Sequence, residues 1–306
     1  MNAQTTSPTG DQYILTRGDA RAAITQVAAA LREFSIGGVD VTEPYSDSVT
    51  PPFGNGIVLA PWPNRVADGL WQLDGAPQQL DLTEPARHNA LHGLLRYTGY
   101  RLIDQTPESV SLAATIFPQH GYPFHLETSV RYELVDGGID VTHDVRNLSA
   151  APAPVAFGTH PFLTIGDVAP EELVLTVHAS TRFDVDDRLN PIAEIPVDGP
   201  NFDLRAGRPV TELDLDTAFG GLATVDGVSA TLRAPDGREV QLLQDENHPY
   251  VQVFTTREFP KKGGKGLAVA VEPMTAPPDA FNSGTGLRWV EPGDSWSVGW
   301  GIRYRP

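Results

Sequence analysis

The feature that most constrains this chain is a two-residue alternation of apolar and polar side chains, cut into short runs by glycine and proline. Val130, Tyr132 and Leu134 alternate with polar neighbours, Asp136-Gly137-Gly138 turns the chain, and Ile139, Val141 and Val145 resume. A period of two places every second side chain on one face of a strand, and glycine supplies the positive φ that tight hairpin turns require. A second run, Thr231-Leu232-Arg233, passes through Ala234-Pro235-Asp236-Gly237 and leaves through Val240 and Leu242. The carboxyl end alternates at Trp296, Val298, Trp300, Ile302 and Tyr304, the pattern of a strand with one buried face. Strands spaced by roughly 8–12 residues predict an all-β sandwich or barrel. One segment disagrees. Ala20 to Phe34 is alanine-rich, with Ile24, Val27, Ala28 and Leu31 at helical spacing, so propensity alone predicts a helix there.

A length of 306 residues allows two domains, yet single sandwiches often exceed 200 residues. No repeat or low-complexity linker divides the chain, so residues 12–306 are expected to form one domain after a flexible lead-in over 1–11. That lead-in is polar and lacks the basic and apolar regions of a signal peptide. No run approaches 18 consecutive apolar residues, so no membrane span is expected, and the expected address is the cytoplasm. The 39 acidic against 22 basic residues give a net charge of -17, which argues against nucleic acid as a partner. The acids are scattered, so the charge reads as solubility. With no cysteine, thiolate nucleophiles and thiolate metal sites are excluded.

No phosphate-binding glycine loop, dinucleotide fingerprint or nucleophile elbow occurs. His88 and His92 are four apart, the spacing of metal ligands on a helix, but Asn89 follows where a zinc protease has Glu, and no metal site is expected. His92 in Leu91-His92-Gly93 and His160 in Thr159-His160-Pro161-Phe162 sit in rigid, apolar surroundings. Read singly, each also fits a buried histidine hydrogen-bonded to backbone. Glu272 closes the apolar run Leu267-Ala268-Val269-Ala270-Val271, where loss of water raises a carboxylate's pKa towards the range of a general base. Pairing with an arginine is the structural alternative. Asn64-Arg65 follows Pro61-Trp62-Pro63, which presents two planar polar groups in one orientation, and Trp62, Tyr250 and Phe254 could supply aromatic faces to a sugar ring.

Taken in order, Asn64-Arg65, Leu91-His92-Gly93, Thr159-His160-Pro161-Phe162, Asp216 before Ala218-Phe219, Val251-Gln252-Val253-Phe254-Thr255 and Val271-Glu272-Pro273 resemble the aldose 1-epimerases, or mutarotases. Pro277-Pro278-Asp279-Ala280-Phe281-Asn282-Ser283-Gly284 extends the match, which spans roughly residues 12–304. The resemblance implies a large, mostly antiparallel β-sandwich (a galactose mutarotase-like supersandwich), with Ala20 to Phe34 in strands. It implies interconversion of the α and β anomers of a free aldose without cofactor, by a monomer or weak homodimer. Glu272 would be the base, His160 the acid, and His92 an assistant at the ring oxygen. Asn64, Arg65, His92, Asp216 and Gln252 would hold ring hydroxyls. A carboxylate and an imidazolium, each favouring the other's charge, are the expected resting pair. His160-Pro161-Phe162-Leu163 departs from the tyrosine and phenylalanine that galactose mutarotases place after the proline, so the match is closer to the bacterial aldose-epimerase-like branch and the sugar stays open.

Two rival readings share the fold. A hexose-6-phosphate epimerase needs cations for the phosphate, and Lys261, Lys262 and Lys265 lie together in one glycine-rich loop. A sugar-binding module without catalysis would need no matched acid and base, which both Glu272 and His160 provide.

Overall fold

Each alternating run becomes a strand of one of two large sheets. The computed structural model describes residues 7–199 and 201–306. Leu126–Val135 and Gly138–Asn147 form the first expected hairpin, with Tyr132 opposite Val141 and Gly137 at φ 67° in the turn. Val228–Arg233 and Glu239–Gln244 form the second. The carboxyl-terminal strand Ser295–Arg305 joins the hairpins, pairing with Gly138–Asn147 on one side and Glu239–Gln244 on the other. This nine-stranded sheet runs from Arg101–Gln105 at one edge to Arg208–Pro209 at the other.

The second sheet has eight strands. Its path runs Pro191–Pro196, Ala179–Val185, Asp216–Leu222, Tyr250–Lys261, Gly264–Met274, Gly158–Thr159 and Val58–Leu59, with Phe162–Leu163 also against Gly264–Met274. Its strand pairs are antiparallel. Val251, Val253, Val269 and Val271 join one apolar cluster with Tyr132, Val141, Trp300 and Ile302 of the other sheet. Burying each such side chain contributes roughly 1.5–3 kcal/mol, so this interior face fixes the register of both sheets. The alternate positions Gln252, Phe254 and Glu272 therefore face the opposite side.

The helix that propensity predicts over 20–34 does not form. Ala20–Thr25 and Leu31–Ile36 are strands of a four-stranded antiparallel sheet, as the resemblance implies. The turn between them holds Ala28 and Ala29 at φ 59° and 46°, and the Tyr132 hydroxyl donates to the Ala29 carbonyl at 2.8 Å. Ala22, Ala23 and Ile24 are fully buried, so alanine serves here as a small packing residue in a crowded sheet. Tertiary burial overrides the weak local preference.

Of the lead-in expected over 1–11, residues 1–6 lie outside the described residues. From Ser7 onward the chain is tied down: Thr9 is buried, its carbonyl accepts the Val27 amide at 2.9 Å, and its hydroxyl accepts Gln12 Nε2 at 2.9 Å. Among the described residues, no helix is long and apolar enough to cross a membrane.

Candidate active site

The period of two that buries Val251, Val253, Val269 and Val271 sets out one wall of the site. Gln252 lies opposite Glu272, Phe254 opposite Ala270, and Asp216 opposite Phe254 on the next strand. Gly158–Thr159 pairs against Met274 and delivers His160 beside Glu272. The His160 amide donates to the Ile57 carbonyl at 3.1 Å, and its carbonyl accepts the Gly56 amide at 2.8 Å, so the backbone is clamped on both sides. Gly56 has φ 75°, and a Cβ there would lie 2.2 Å from the Leu31 carbonyl oxygen.

A second wall comes from a short ladder between Arg65–Ala67 and Asn89–Leu91, with Arg65 opposite Leu91. Asn64 and His92 flank it in left-handed conformations, φ 53° and 64°, and the His92 amide donates to the Asn64 carbonyl at 2.8 Å. The Pro277–Gly284 motif braces this ladder. The Asp279 amide donates to the Arg65 carbonyl at 2.7 Å, while its Oδ1 accepts the Ala67 amide at 2.9 Å.

The walls enclose a cavity of about 570 Å³. Asn64, Arg65, His92, His160, Asp216 and Glu272 line it together, so six of the seven sequence-predicted residues converge. Gln252 stands behind them, and its Nε2 donates to Asp216 Oδ1 at 2.6 Å. His160 Nε2 lies 3.4 Å from Glu272 Oε1, and the His160 and His92 rings meet edge to face with centroids 5.4 Å apart. Glu272 Oε2, His160 Nδ1 and His92 Nδ1 are buried with no protein partner, so polar capacity is left for a ligand rich in hydroxyls.

Burial governs the charge states. Glu272 is 1% exposed, and loss of water pushes its pKa well above the usual carboxylate range, with Asp216 adding to the rise and Arg65 opposing it. Loss of water pushes His160 down to about 4 and His92 well below its usual value. The carboxylate–imidazolium resting pair expected from sequence is therefore replaced by one in which burial favours the neutral forms of both groups. The arginine pairing considered for Glu272 falls elsewhere: Arg65 donates to Glu84 and Asp216.

Of the three candidate aromatic faces, only Phe254 lines the cavity. Trp62 is 2% exposed and packs on Phe281 and Tyr122, so it is core. Tyr250 packs on Phe183. The cavity also has Phe53, Glu84, Arg87, Arg96 and Tyr97 in its lining, none of which sequence reasoning singled out. Arg96-Tyr97 follows Leu91-His92-Gly93 so closely that the motif offered a signal; Glu84 offered none. The lysine loop lies apart: Lys261 pairs with Glu43 and Lys265 with Glu258, and Lys261 and Lys262 line a different cavity. His88 is an exposed partner of Asp68, and no group of three or more His, Asp or Glu among the described residues could hold a metal ion.

A mostly antiparallel fold built on two large sheets and carrying such a pocket defines a class of β-sandwich proteins, and comparison places the chain within it. The aldose 1-epimerase family matches residues 11–303, and the chain belongs to that family. It is 32% identical over 286 residues to the uncharacterized protein YihR of Escherichia coli K12, covering 93% of this chain and 90% of that one. In fold it is similar to a GalM/aldose epimerase homologue from C. elegans (TM-score 0.85, 20% identity, 96% of this chain and 98% of that one). A galactose mutarotase-like protein from Clostridium acetobutylicum gives TM-score 0.81 at 16% identity, covering 95% and 94%.

Proposed function

We propose that the protein is an isomerase, an aldose 1-epimerase that interconverts the α and β anomers of a free aldose as a single domain over residues 12–306. One observation carries the reading: a carboxyl and an imidazole, Glu272 and His160, lie 3.4 Å apart in a cavity lined by groups suited to sugar hydroxyls. Ring opening removes the proton of the anomeric hydroxyl and adds one to the ring oxygen, and both oxygens sit on C1. Glu272 takes the first proton, the C1–O5 bond breaks as the C1 carbonyl forms, and His160 gives its proton to O5. Rotation about C1–C2 presents the other face of the aldehyde, and the same two transfers run backwards to close the ring.

Burial favours this direction of transfer. A raised carboxyl pKa makes Glu272 a stronger base, and a lowered imidazole pKa makes His160 a stronger acid. The pair carries one shared proton throughout, so every proton moved has a residue to hold it and no cofactor is required. Bound sugar donates its anomeric hydroxyl to Glu272, which supports the ionised pair at the start of the cycle. Asn64, Arg65, His92 and Asp216 hold ring hydroxyls, Gln252 fixes Asp216, and Phe254 faces the ring. Catalysis in the cytoplasm by a monomer or weak homodimer completes the proposal.

A second reading, an aldose bearing a phosphate or other anionic group, loses the lysines that first suggested it but retains one observation. Arg96 lines the cavity, donates only a long 3.3 Å bond to the Leu91 carbonyl, and leaves Nε buried without a partner. Polarimetry decides between them. Freshly dissolved α-glucose and α-galactose are followed beside α-glucose 6-phosphate, with Glu272→Gln and His160→Asn as controls. The first reading predicts faster mutarotation of a neutral aldose, lowered about 10²–10⁴-fold in either variant. Preference for the phosphosugar supports the second reading, and full activity in either variant contradicts the assigned roles.

A further inference from the structure

Resting on the reading of Arg65 as a hydroxyl-binding residue, we propose that Glu84 is its positioning residue: it grips one edge of the guanidinium and so aims the other at the sugar. Arg65 Nε donates to Glu84 Oε2 at 2.9 Å and Nη2 donates to Glu84 Oε1 at 3.1 Å, a two-point fork that fixes the plane of the group. Nη2 also donates to Asp216 Oδ2 at 3.1 Å. Nη1 keeps only a long 3.4 Å contact to Asn64 Oδ1, which leaves it available to a ligand.

Glu84 is itself held from several sides. Asn89 Nδ2 donates to its Oε2 at 3.2 Å and to the Arg188 carbonyl at 3.0 Å, and Arg87 Nη1 donates to its Oε1 at 3.0 Å. The Glu84 amide donates to the Asn89 carbonyl at 3.0 Å, closing the 84–89 loop on itself. The side chains of Glu84 and Arg65 are 12% and 7% exposed, so the fork is shielded from solvent.

The fork also sets the electrostatics of the base. Glu272 faces His160, with His92 beyond it, Gln252 and Asp216 on the neighbouring strands, and Arg65 from the short ladder; Arg87 and Arg96 stand among the other lining residues. Asp216 raises the Glu272 pKa and Arg65 lowers it. Glu84 is the second carboxylate on Arg65. Without it, the guanidinium turns wholly to Asp216, withdraws that acceptor from the sugar, and leaves its own charge less compensated towards Glu272.

The test uses Glu84→Gln, which keeps the shape and loses the charge, and Glu84→Asp, which keeps the charge and shortens the reach. The pH profile of kcat/KM is measured for each, with a carbon-13 NMR titration of the Glu272 carboxyl assigned through Glu272→Gln. Glu84→Gln is expected to lower kcat/KM about 10–10²-fold, mainly through KM. Its alkaline limb and the Glu272 titration move to lower pH, whereas in Glu84→Asp both stay near the wild-type position. A rate loss with both unmoved means that Glu84 only braces its loop, and overturns the proposal, as does unchanged activity with unchanged titration. If the wild type turns over no aldose, the reading of the reaction fails on its own, and the Glu272 titration still decides the role of Glu84.

Discussion

Glu272 ends a fully buried run from Val269 to Val271 with its Oε2 unpartnered, an arrangement that favours chemistry over stability. A carboxyl whose pKa is raised in the fold binds its proton more tightly there than in the unfolded chain. The fold therefore loses stability as pH rises from the ordinary carboxylate range through the raised value. Glu272→Gln carries no such loss. Thermal unfolding at pH 8 is expected to show the variant melting roughly 1–2 °C above wild type, about 1 kcal/mol for a chain of this size. At pH 4 the two converge. A variant melting below wild type at pH 8 refutes the idea that this carboxyl is held at the expense of stability. The residues with motif partners were legible before the fold was: Glu272 by its apolar approach, His160 by its proline, Arg65 by its rigid flanks. Glu84 was not, because Thr83-Glu84-Pro85 looks like any solvated loop and only the ladder opposite Arg65 gives it a role. The raised pKa of Glu272 was legible from that same apolar approach, whereas the imidazolium expected at His160 was not borne out, because its motif does not show that the ring is buried too.

At the scale of elements, the hairpins could be read from their alternation because one face of each strand must join the interior. The segment 20–34 could not, since its alanines favour a helix locally and only burial between neighbouring strands makes it a sheet. Close backbone approach places the site's loops. Gly93, at φ 73° beside His92, would put a Cβ 2.1 Å from the Ala60 carbonyl oxygen. Gly237, at φ 95° in a hairpin turn, has nothing within 4 Å. Gly93→Ala is therefore expected to cost more than about 3 kcal/mol in urea unfolding, combining backbone strain with displacement of the segment that carries His92. Gly237→Ala should cost only about 1 kcal/mol of backbone strain. Equal costs for the two would show that the contact with Ala60 does not constrain the site.

Over the whole molecule, buried neutral histidines make the fold sensitive to acid. His143 is pushed down to about 3 by burial, with His248 adding to the fall and Asp245 opposing it. Its Nε2 accepts the Trp300 indole N–H at 3.1 Å, a bond that protonation of that nitrogen would break, and a Thr159 contact at 3.3 Å lies beside it. A histidine whose folded pKa is depressed binds protons more weakly in the fold, so its contribution is lost as pH falls from 6.5 towards the folded value. Urea unfolding between pH 6 and 4 should therefore show a shallower acid decline in His143→Gln than in wild type, by up to about 1.4 kcal/mol per pH unit. Identical slopes would show that His143 does not titrate on unfolding. The net charge of -17 is spread over a surface where many arginines are paired with acids.

The claim on which the rest depends is that Glu272 and His160 exchange protons with a sugar. NMR magnetisation exchange between the two anomeric protons of an aldose at equilibrium measures that step without perturbing it. Exchange in the wild type is expected well above the spontaneous rate, greatest where the pair holds its single proton and falling at both pH extremes, with near-spontaneous rates in Glu272→Gln and His160→Asn. Exchange at the wild-type rate in Glu272→Gln would contradict the claim.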